Sequence, residues 1–185
     1  MSDFKTIPVT DTSLGLGDFK PDAPLQLTPA HPIADLDMID GVTLTPLIPR
    51  ADGRGALIEL MTTRDGAIEP IVHVYLVEAK AGSVRAWVYH RRQYDRLAYT
   101  QGRFQVVLYD IREESPTFRK LSSVIIGKER PVLLRIPPYV VHGVKNIGGE
   151  DSTFVNMPTN IYNPQNPDKS RIAANDPRIP FSFND

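Results

Sequence analysis

The sequence has no cysteine, and this absence excludes several classes of protein at once. Disulfide-stabilised folds, thiolate nucleophiles and cysteine metal sites are all ruled out. No apolar run approaches the roughly 18 residues of a membrane-spanning helix, and the start MSDFKTIPVTD lacks a basic segment followed by an apolar one. We therefore expect a cytoplasmic protein that does not enter the membrane.

The chain also lacks an excess of charge of either sign. Its 21 basic residues nearly balance its 22 acidic residues, which leaves a formal net charge of -1. A charge of that size does not attract nucleic acid or an anionic membrane surface as a general partner. We expect no nucleic-acid partner, and any basic patch must be local.

Sustained helical periodicity is missing as well, and short strand-like runs take its place. The 185 residues are enough for one core. Residues 1–40 combine scattered Pro, Gly, Asp and Thr with little periodicity, which predicts an irregular N-terminal arm. About ten apolar runs follow, among them VTLTPLI, FQVVLYDI and VLLRI, and they predict an all-β sandwich or barrel over residues 41–185. The Pro- and Asn-rich tail should pack as loops with one short helix at most.

Two spaced patterns are typical of small β-barrels of the cupin type. The first, G(X)5HXH(X)4E(X)6G, is met in its spacing by Gly82, Val88, Tyr89, His90, Asp95 and Gly102. The second, PXG(X)2H(X)3N, is met by Pro137, Tyr139, His142 and Asn146. Three positions differ in residue type: Val88 stands at a histidine, Asp95 at the glutamate and Tyr139 at the glycine. Agreement of the spacing in both halves predicts a cupin-type jelly-roll barrel.

Strand alternation should bring the histidines of these patterns together. Residues two apart on a strand point to one face, so Val88 and His90 should both face the barrel interior. His142 comes from a different strand and can project into the same interior. We therefore expect His90 and His142 to meet inside the barrel.

Beyond the generic barrel, the chain resembles the dTDP-4-dehydrorhamnose 3,5-epimerase family from about Gly41 to the C-terminus. The resemblance is carried by DGRG with Glu59, GSVRAW, YDIREESPTF, IPPYVVHG, TNIYNP and NDPRI. It implies a cytoplasmic homodimer of jelly-roll subunits that binds a nucleotide-diphosphate sugar, namely a nucleotide-linked 4-keto-6-deoxy sugar. It also implies that no metal or other cofactor is needed.

The same resemblance assigns substrate-binding residues. Arg54 and Arg85 would hold the diphosphate, since the planar guanidinium pairs well with phosphate oxygens. Glu59 would lie near the nucleotide. Arg96 falls near the position of the family's enolate-stabilising lysine, and Asn156 would also face the substrate.

The family's reaction removes a proton beside the sugar ketone and returns one to the opposite face, so it needs a base and an acid on opposite sides. The resemblance puts the base, a histidine, at the position of Val88, and the acid, a tyrosine, at the position of Asn156. Asp176 matches the carboxylate that orients the base. His142 matches the family's histidine in its AHGF stretch and is a further catalytic candidate.

Valine cannot accept a proton, so this sequence departs from the family at the centre of its chemistry. One hypothesis is an epimerase or isomerase with an altered acid/base set, in which His90 or Tyr89 replaces the base. Another is a sugar-nucleotide binding protein without turnover. His90 would then be a barrel-lining residue with no chemical role.

A metal-dependent cupin enzyme is the third hypothesis. His90, Asp95 and His142 form a two-histidine, one-carboxylate set that suits Fe(II), Mn(II) or Zn(II). Against it, Val88 removes the fourth ligand, and Asp95 could instead pair with Arg91, Arg92 or Arg96 at the surface. The sequence therefore predicts that the purified protein carries no stoichiometric transition metal.

Overall fold

The computed structural model describes residues 16–24, 30–34, 37–62, 64 and 70–183. Within these residues the chain forms one 3-10 turn and twelve β-strands, and no α-helix. The elements are the turn Leu16–Asp18 and the strands β1 (Thr43–Pro46), β2 (Pro49–Asp52), β3 (Gly55–Ile58), β4 (Tyr75–Ala79), β5 (Val84–His90), β6 (Asp95–Tyr99), β7 (Arg103–Asp110), β8 (Leu121–Gly127), β9 (Val132–Ile136), β10 (Val140–Asn146), β11 (Ser152–Asn156) and β12 (Lys169–Arg171).

Ten of these strands form two antiparallel five-stranded sheets. The first sheet has the order β1-β9-β6-β11-β4 and the second has the order β12-β5-β10-β7-β8. Among the described strands, β2 and β3 pair only with each other, as a separate hairpin. From β4 to β12, all but one of the connections cross from one sheet to the other, which is the arrangement of a jelly roll. The predicted all-β jelly roll is therefore confirmed.

Hydrophobic side chains fill the space between the two sheets. On β6, Leu97 and Tyr99 point into this space, and alternation turns Arg96 and Ala98 to the other face. Each fully buried large side chain contributes about 1.5 to 3 kcal/mol relative to exposure. The buried members of this core are Ile39, Val42, Leu44, Ala79, Leu97, Tyr99, Phe104, Val106, Leu108, Ile126, Val132, Leu134, Ile136, Val140, Val144 and Phe154.

The outer face of the second sheet is covered by the C-terminal tail. Trp87 is fully buried there, with its ring centroid 6.3 Å from that of Phe181 and 5.1 Å from that of Phe183. Its indole N–H donates to the carbonyl of Ala174 at 3.1 Å. The described part of the tail has no helix, and its regular element is β12, which pairs with the edge of β5.

Two glycines of the first spaced pattern form turns that precede strands of the second sheet. Gly82 and Gly102 have φ values of 72° and 61°, in the left-handed region that favours glycine. At Gly102 a Cβ would also lie 2.2 Å from Oγ of Ser152. These turns fix where β5 and β7 begin, and β5 carries His90.

The predicted N-terminal arm is described only in part. Residues 16–24 contain one 3-10 turn and no strand. Ile39, at the end of the arm, is buried in the core between the sheets. The prediction for residues 1–15, 25–29, 35 and 36 lies outside the described residues. In the part of the chain that the structure describes, no helix has the length and apolar character needed to cross a membrane.

Candidate active site

His90, Asp95 and His142 come together from three strands in the interior of the sandwich. His90 ends β5, His142 lies on the neighbouring β10, and Asp95 begins β6 in the facing sheet. The Nε2 atoms of both histidines lie 3.3 Å from Oδ2 of Asp95, and the two ring centroids are 6.2 Å apart. All three side chains are buried. The histidines thus meet as strand alternation predicts, and Asp95 is not a surface residue.

The carboxylate of Asp95 is held from both sides. Its Oδ1 accepts hydrogen bonds from Nε2 of Gln93 at 2.9 Å and from Nδ2 of Asn156 at 3.1 Å, while its Oδ2 faces the two histidines. Burial opposes ionisation, but hydrogen bonds from His142 and His90 hold the pKa of this carboxyl well below its usual range. Asp95 is therefore an anion in the interior at neutral pH.

Each histidine has a second polar neighbour behind its ring. Nδ1 of His142 lies 3.1 Å from the carbonyl oxygen of Val140, a geometry in which the ring N–H donates to the carbonyl. Nδ1 of His90 lies 3.7 Å from Oδ2 of Asp168, beyond hydrogen-bond distance, and is buried without a hydrogen-bond partner. His90 therefore stands between two carboxylates with one ring nitrogen that makes no hydrogen bond.

Asp168 is fixed by the loop between β5 and β6. Its carboxylate accepts the backbone N–H groups of Arg91, Arg92 and Gln93 at 3.3, 3.2 and 3.1 Å. These bonds anchor the segment before β12 to the end of β5. They also keep the Asp168 carboxylate next to the ring of His90.

An open cavity of about 680 Å³ reaches His90 from the outside. This volume is in the range of small-molecule sites. The lining includes three cationic side chains and one carboxylate, so positive charge is in excess. The lining residues are His73, Tyr75, His90, Arg92, Gln93, Pro158, Asn160, Ile161, Tyr162, Asn163, Asn166, Pro167, Asp168, Lys169 and Arg171.

β12 adds two cations to the wall that carries His90. Lys169 is the Cα partner of His90, and Arg171 is the Cα partner of Val88, so all four side chains share one face of the sheet. Burial lowers the pKa of the Lys169 ammonium, and the positive charges of Arg171 and Arg85 lower it further. Sequence reasoning missed Lys169 and Arg171 because the Pro- and Asn-rich tail predicts loops. Their strand is three residues long and entirely polar, so it shows no polar-apolar alternation.

On the facing sheet, Tyr75 and Asn156 form a cross-strand pair. They are Cα partners on β4 and β11, and Nδ2 of Asn156 donates to Oη of Tyr75 at 2.8 Å. Burial and the charge of Asp95 raise the pKa of the Tyr75 phenol. Sequence reasoning missed Tyr75, since a single tyrosine in an apolar strand carries no motif.

Two predicted catalytic residues lie away from this cavity. Tyr89 is on the opposite face of β5 from His90, in the outer hydrophobic cluster, with its ring 5.8 Å from that of Tyr139. Adjacent residues on a strand point to opposite faces, which explains this separation. Asp176 accepts hydrogen bonds from Arg178 at 2.9 and 2.8 Å, and this pairing lowers the pKa of Asp176 to about 2.

Arg85 and Arg96, both predicted to bind substrate, differ in their placement. Arg85 donates to the carbonyl of Glu78 at 2.6 Å, and its charge is close enough to lower the pKa of Lys169. Arg96 is buried on the outer face of β6, where its guanidinium donates to the carbonyl of Met157 at 2.5 Å and to two further backbone carbonyls. Arg85 thus lies near the cavity cations, whereas Arg96 ties loops to the back of the first sheet.

The remaining predicted ligand contacts are on or next to the separate hairpin. Arg54 lies in the turn between β2 and β3, where its largely exposed side chain pairs with Asp52 at 2.6 Å. Glu59 follows β3 and forms an ion pair with Arg64. Neither Arg54 nor Glu59 lines the cavity.

The whole jelly roll matches one known protein family. The family model described as dTDP-4-dehydrorhamnose 3,5-epimerase matches residues 37–184. The chain belongs to this family. The matched range covers the twelve described strands and the tail, and the residues before it belong to the predicted N-terminal arm.

Relatives within the epimerase family carry names from polysaccharide and glycan biosynthesis. The spore coat polysaccharide biosynthesis protein SpsL of Bacillus subtilis (strain 168) is 35% identical over 147 residues, which are 80% of this chain and 97% of that protein. The protein named Probable low-salt glycan biosynthesis epimerase Agl13, of Haloferax volcanii, is 38% identical over 137 residues, which are 72% of this chain and 87% of that protein.

A solved structure in the comparison has the same fold. The crystal structure of a dTDP sugar isomerase from Desulfovibrio desulfuricans G20 superimposes with a TM-score of 0.74 at 28% sequence identity. The superposition covers 79% of this chain and 92% of that chain. Family membership and the jelly-roll fold are therefore supported by both sequence and structure.

Proposed function

We propose that this protein is a sugar-nucleotide epimerase that acts on a nucleotide-linked 4-keto-6-deoxy sugar in polysaccharide biosynthesis, with an acid/base set different from that of its family. The observation that carries the proposal is the position of His90. It lies at an open cavity, between two carboxylates and opposite Lys169, in a chain of the epimerase family. The names of SpsL and Agl13 support a place in polysaccharide biosynthesis.

His90 is the proposed base. With the ring proton on Nε2, which faces Asp95, the lone pair on Nδ1 is not used by any hydrogen bond. Nδ1 is buried in the structure, so the ring must turn this nitrogen toward the cavity before the chemical step. It then takes the proton from the carbon next to the ketone, and the electrons of the broken C–H bond move to the carbonyl oxygen to give an enolate. The resulting imidazolium lies between the carboxylates of Asp95 and Asp168, which stabilise its charge.

Three cations supply positive charge to the bound substrate. Lys169, opposite His90 on β12, is placed to stabilise the enolate oxygen. Arg171 and Arg85 lie close enough to Lys169 to lower its pKa, and we assign them to the diphosphate, for which a guanidinium is well suited. Arg54 and Glu59 stay predicted contacts of the nucleotide.

Solvent exchange tests the proposed chemistry. In heavy water, dTDP-4-keto-6-deoxyglucose should gain deuterium at one carbon beside the ketone, because His90 removes a proton there and a deuteron from the solvent replaces it. His90→Ala should reduce this uptake by at least about a hundredfold, the contribution expected of a positioned base. His31→Ala is the control, since His31 is an exposed histidine of the arm. Mass spectrometry measures the uptake, and proton NMR identifies the carbon.

The binding-protein alternative makes the opposite prediction for the same experiment. Val88 and Asn156, at the family's base and acid positions, are the observation in its favour. It predicts no deuterium uptake from any of a panel of keto sugar nucleotides that demonstrably bind. That result would contradict the epimerase proposal.

A metal-dependent cupin enzyme is a second candidate, and the contacts of His142 favour it. When its Nδ1–H is donated to Val140, a neutral His142 turns a lone pair on Nε2 toward an Asp95 oxygen 3.3 Å away. The lone pair and the negatively charged oxygen repel each other. A second proton on the His142 ring, or a divalent cation between the two side chains, removes this repulsion. Ligand atoms of His90, Asp95 and His142 lie within 4.8 Å of one another, a spacing that one ion can bridge.

Elemental analysis separates the metal candidate from the others. About one transition metal per chain, lost in His142→Ala and kept in His73→Ala, would establish the site. His73 is the matched control because it lines the same cavity and is not part of the triad. Full exchange activity in protein treated with a chelator would exclude this candidate and agree with the expectation from the sequence.

A further inference from the structure

Tyr75 and His90 line the cavity from different sheets. Tyr75 begins β4 in the first sheet, whereas His90 ends β5 in the second. We propose that Tyr75 is the catalytic acid of this site and returns a proton to the face of the substrate carbon opposite His90. The inference rests on the proposed function above and adds the group that makes inversion possible, since inversion needs proton donors and acceptors on both faces.

The hydrogen bonds of Asn156 leave the phenolic hydrogen of Tyr75 unused. Nδ2 of Asn156 donates to Oδ1 of Asp95 at 3.1 Å and to Oη of Tyr75 at 2.8 Å. If the side-chain amide of Asn156 were reversed, its oxygen would face the negatively charged carboxylate of Asp95. The nitrogen Nδ2 must therefore face Asp95. Oη is therefore an acceptor in this pair. No described residue accepts a hydrogen bond from the hydroxyl of Tyr75. A substrate in the cavity can supply this acceptor.

The phenol also lies beside the position at which the family's acid is missing. Asn156 stands at that position, and Tyr75 is its directly opposed partner on the adjacent strand. The side chains of such partners project from the same face, with Cβ atoms about 5 Å apart. Tyr75 thus presents a phenol to the same region of the interior from one strand away.

The proton return balances without any other reactant. A C–H bond forms at the enolate carbon as the Oη–H bond of Tyr75 breaks, and the ketone is restored. The N–H of Asn156 stabilises the phenolate, which then regains a proton from water, to which His90 releases the proton that it removed. Burial and the charge of Asp95 raise the pKa of Tyr75, so the phenol holds its proton at neutral pH until the transfer.

Tyr75→Phe separates proton return from proton removal. With dTDP-4-keto-6-deoxyglucose in heavy water, mass spectrometry follows deuterium uptake and NMR follows the epimer. In the variant we expect inversion to fall by about a hundredfold or more. Uptake at the same carbon should persist, because His90 can return a deuteron to the face from which it removed the proton. The ring that lies 5.2 Å from His73 is retained, which preserves the packing of β4.

Tyr99→Phe is the matched control. Tyr99 is a fully buried tyrosine of the core whose hydroxyl has no hydrogen-bond partner, and it does not line the cavity. This variant should invert the substrate at the wild-type rate. Calorimetry with dTDP should give the same affinity for the wild type and for both variants.

The outcomes distinguish a failure of this inference from a failure of the proposed function. Inversion by Tyr75→Phe at the wild-type rate would overturn Tyr75 as the acid and leave the epimerase proposal in place. Tyr75 would also be excluded as the acid if Tyr75→Phe lost deuterium uptake and inversion to the same extent. Loss of dTDP binding in Tyr75→Phe but not in Tyr99→Phe would exclude it as well. A wild-type protein that neither exchanges nor inverts would overturn both.

Discussion

At the scale of single residues, polar groups stand across from Val88 and Asn156, the residues that the resemblance puts at the family's base and acid positions. Val88 is the Cα partner of Arg171, and Asn156 is the Cα partner of Tyr75. Neighbouring strands are about 4.8 Å apart, a distance that an arginine or tyrosine side chain spans. The proposed chemistry can therefore use the same cavity with groups from adjacent strands.

Removal of a cation in or near the cavity should weaken ligand binding. Arg85→Ala and Arg171→Ala should each lower the affinity for dTDP-glucose by about ten- to a hundredfold, the loss expected for one charge-assisted phosphate contact. Titration calorimetry measures the effect. Arg178→Ala is the control, since Arg178 is exposed and pairs with Asp176 away from the cavity. An unchanged affinity in Arg171→Ala would remove that residue from the site.

Asp110, at the end of β7, is a buried anion with a structural role. Its carboxylate accepts hydrogen bonds from Arg112, Ser115 and Thr117. Burial opposes its ionisation, but these bonds hold its pKa far below the usual range. Asp110→Asn should lower the free energy of unfolding by about 2 to 3 kcal/mol at pH 7, measured by urea denaturation. The control is Glu114→Gln, at an exposed glutamate, which should change the free energy of unfolding by less than about 0.5 kcal/mol.

The stabilisation by Asp110 should also depend on pH. Its folded-state pKa lies below the unfolded-state value of about 3.9, so the stabilisation is complete above that value and is lost as the pH falls through the folded-state pKa. The difference between the wild type and Asp110→Asn should be constant from about pH 7 to 5 and shrink below about pH 4. A difference that grows in acid would show that another group dominates.

At the scale of secondary-structure elements, the C-terminal tail both builds the site and covers the sheet. Its strand β12 pairs with β5 and places Lys169 opposite His90. The residues that follow pack on Trp87 at the outer face. Site and cover are parts of one continuous segment, so a change under the cover should also disturb the cavity.

Gly143 on β10 is packed tightly against both the neighbouring strand β5 and the tail. A Cβ there would lie 2.6 Å from Cβ of Ala86 and 3.0 Å from atoms of Trp87 and Phe183. Gly143→Ala should lower the free energy of unfolding by about 1 to 3 kcal/mol, because β5 and the tail must both shift to admit the added methyl group. Gly149→Ala, where nothing lies within 4 Å, is the control. Equal denaturation midpoints for the two variants would show that β5 and the tail are not packed tightly around Gly143.

At the scale of the whole molecule, apolar side chains stay exposed along the edge of the first sheet. Val72, Val74 and Leu76 are 42%, 53% and 62% exposed, on or just before β4. β4 is an edge strand, and a contiguous apolar surface on such a strand is typical of an interface. We therefore predict a homodimer through the outer face of the first sheet, in line with the expectation from the sequence.

Sedimentation at micromolar concentration checks this arrangement. The wild type should sediment as a dimer, and Leu76→Lys should shift it toward the monomer because a buried unpaired charge is costly. Ile125→Lys is the control: Ile125 is 46% exposed on β8, at the edge of the other sheet. A monomeric wild type would contradict the prediction. Dissociation caused only by Ile125→Lys would move the interface to the second sheet.

The sequence by itself determined the fold class and the centre of the candidate site. Short alternating runs and turn glycines specify strands and their ends, and the two spaced patterns place His90 and His142 on interior faces of neighbouring strands. These features are local, since alternation and turn conformation depend on a few adjacent residues. That is why the jelly roll and the meeting of the two histidines could be predicted. The absence of cysteine likewise excludes thiolate chemistry for any fold of this chain.

Only the tertiary structure decided which other groups surround His90. Lys169 and Tyr75 belong to no motif, and they reach the interior because β12 pairs with β5 and β4 pairs with β11. Tyr89 and Asp176 carry suitable functional groups, but they lie on another face or pair elsewhere. The physical reason is that the lining of a cavity depends on pairing between strands far apart in sequence and on the face that each strand turns inward. No short stretch of residues encodes either of these.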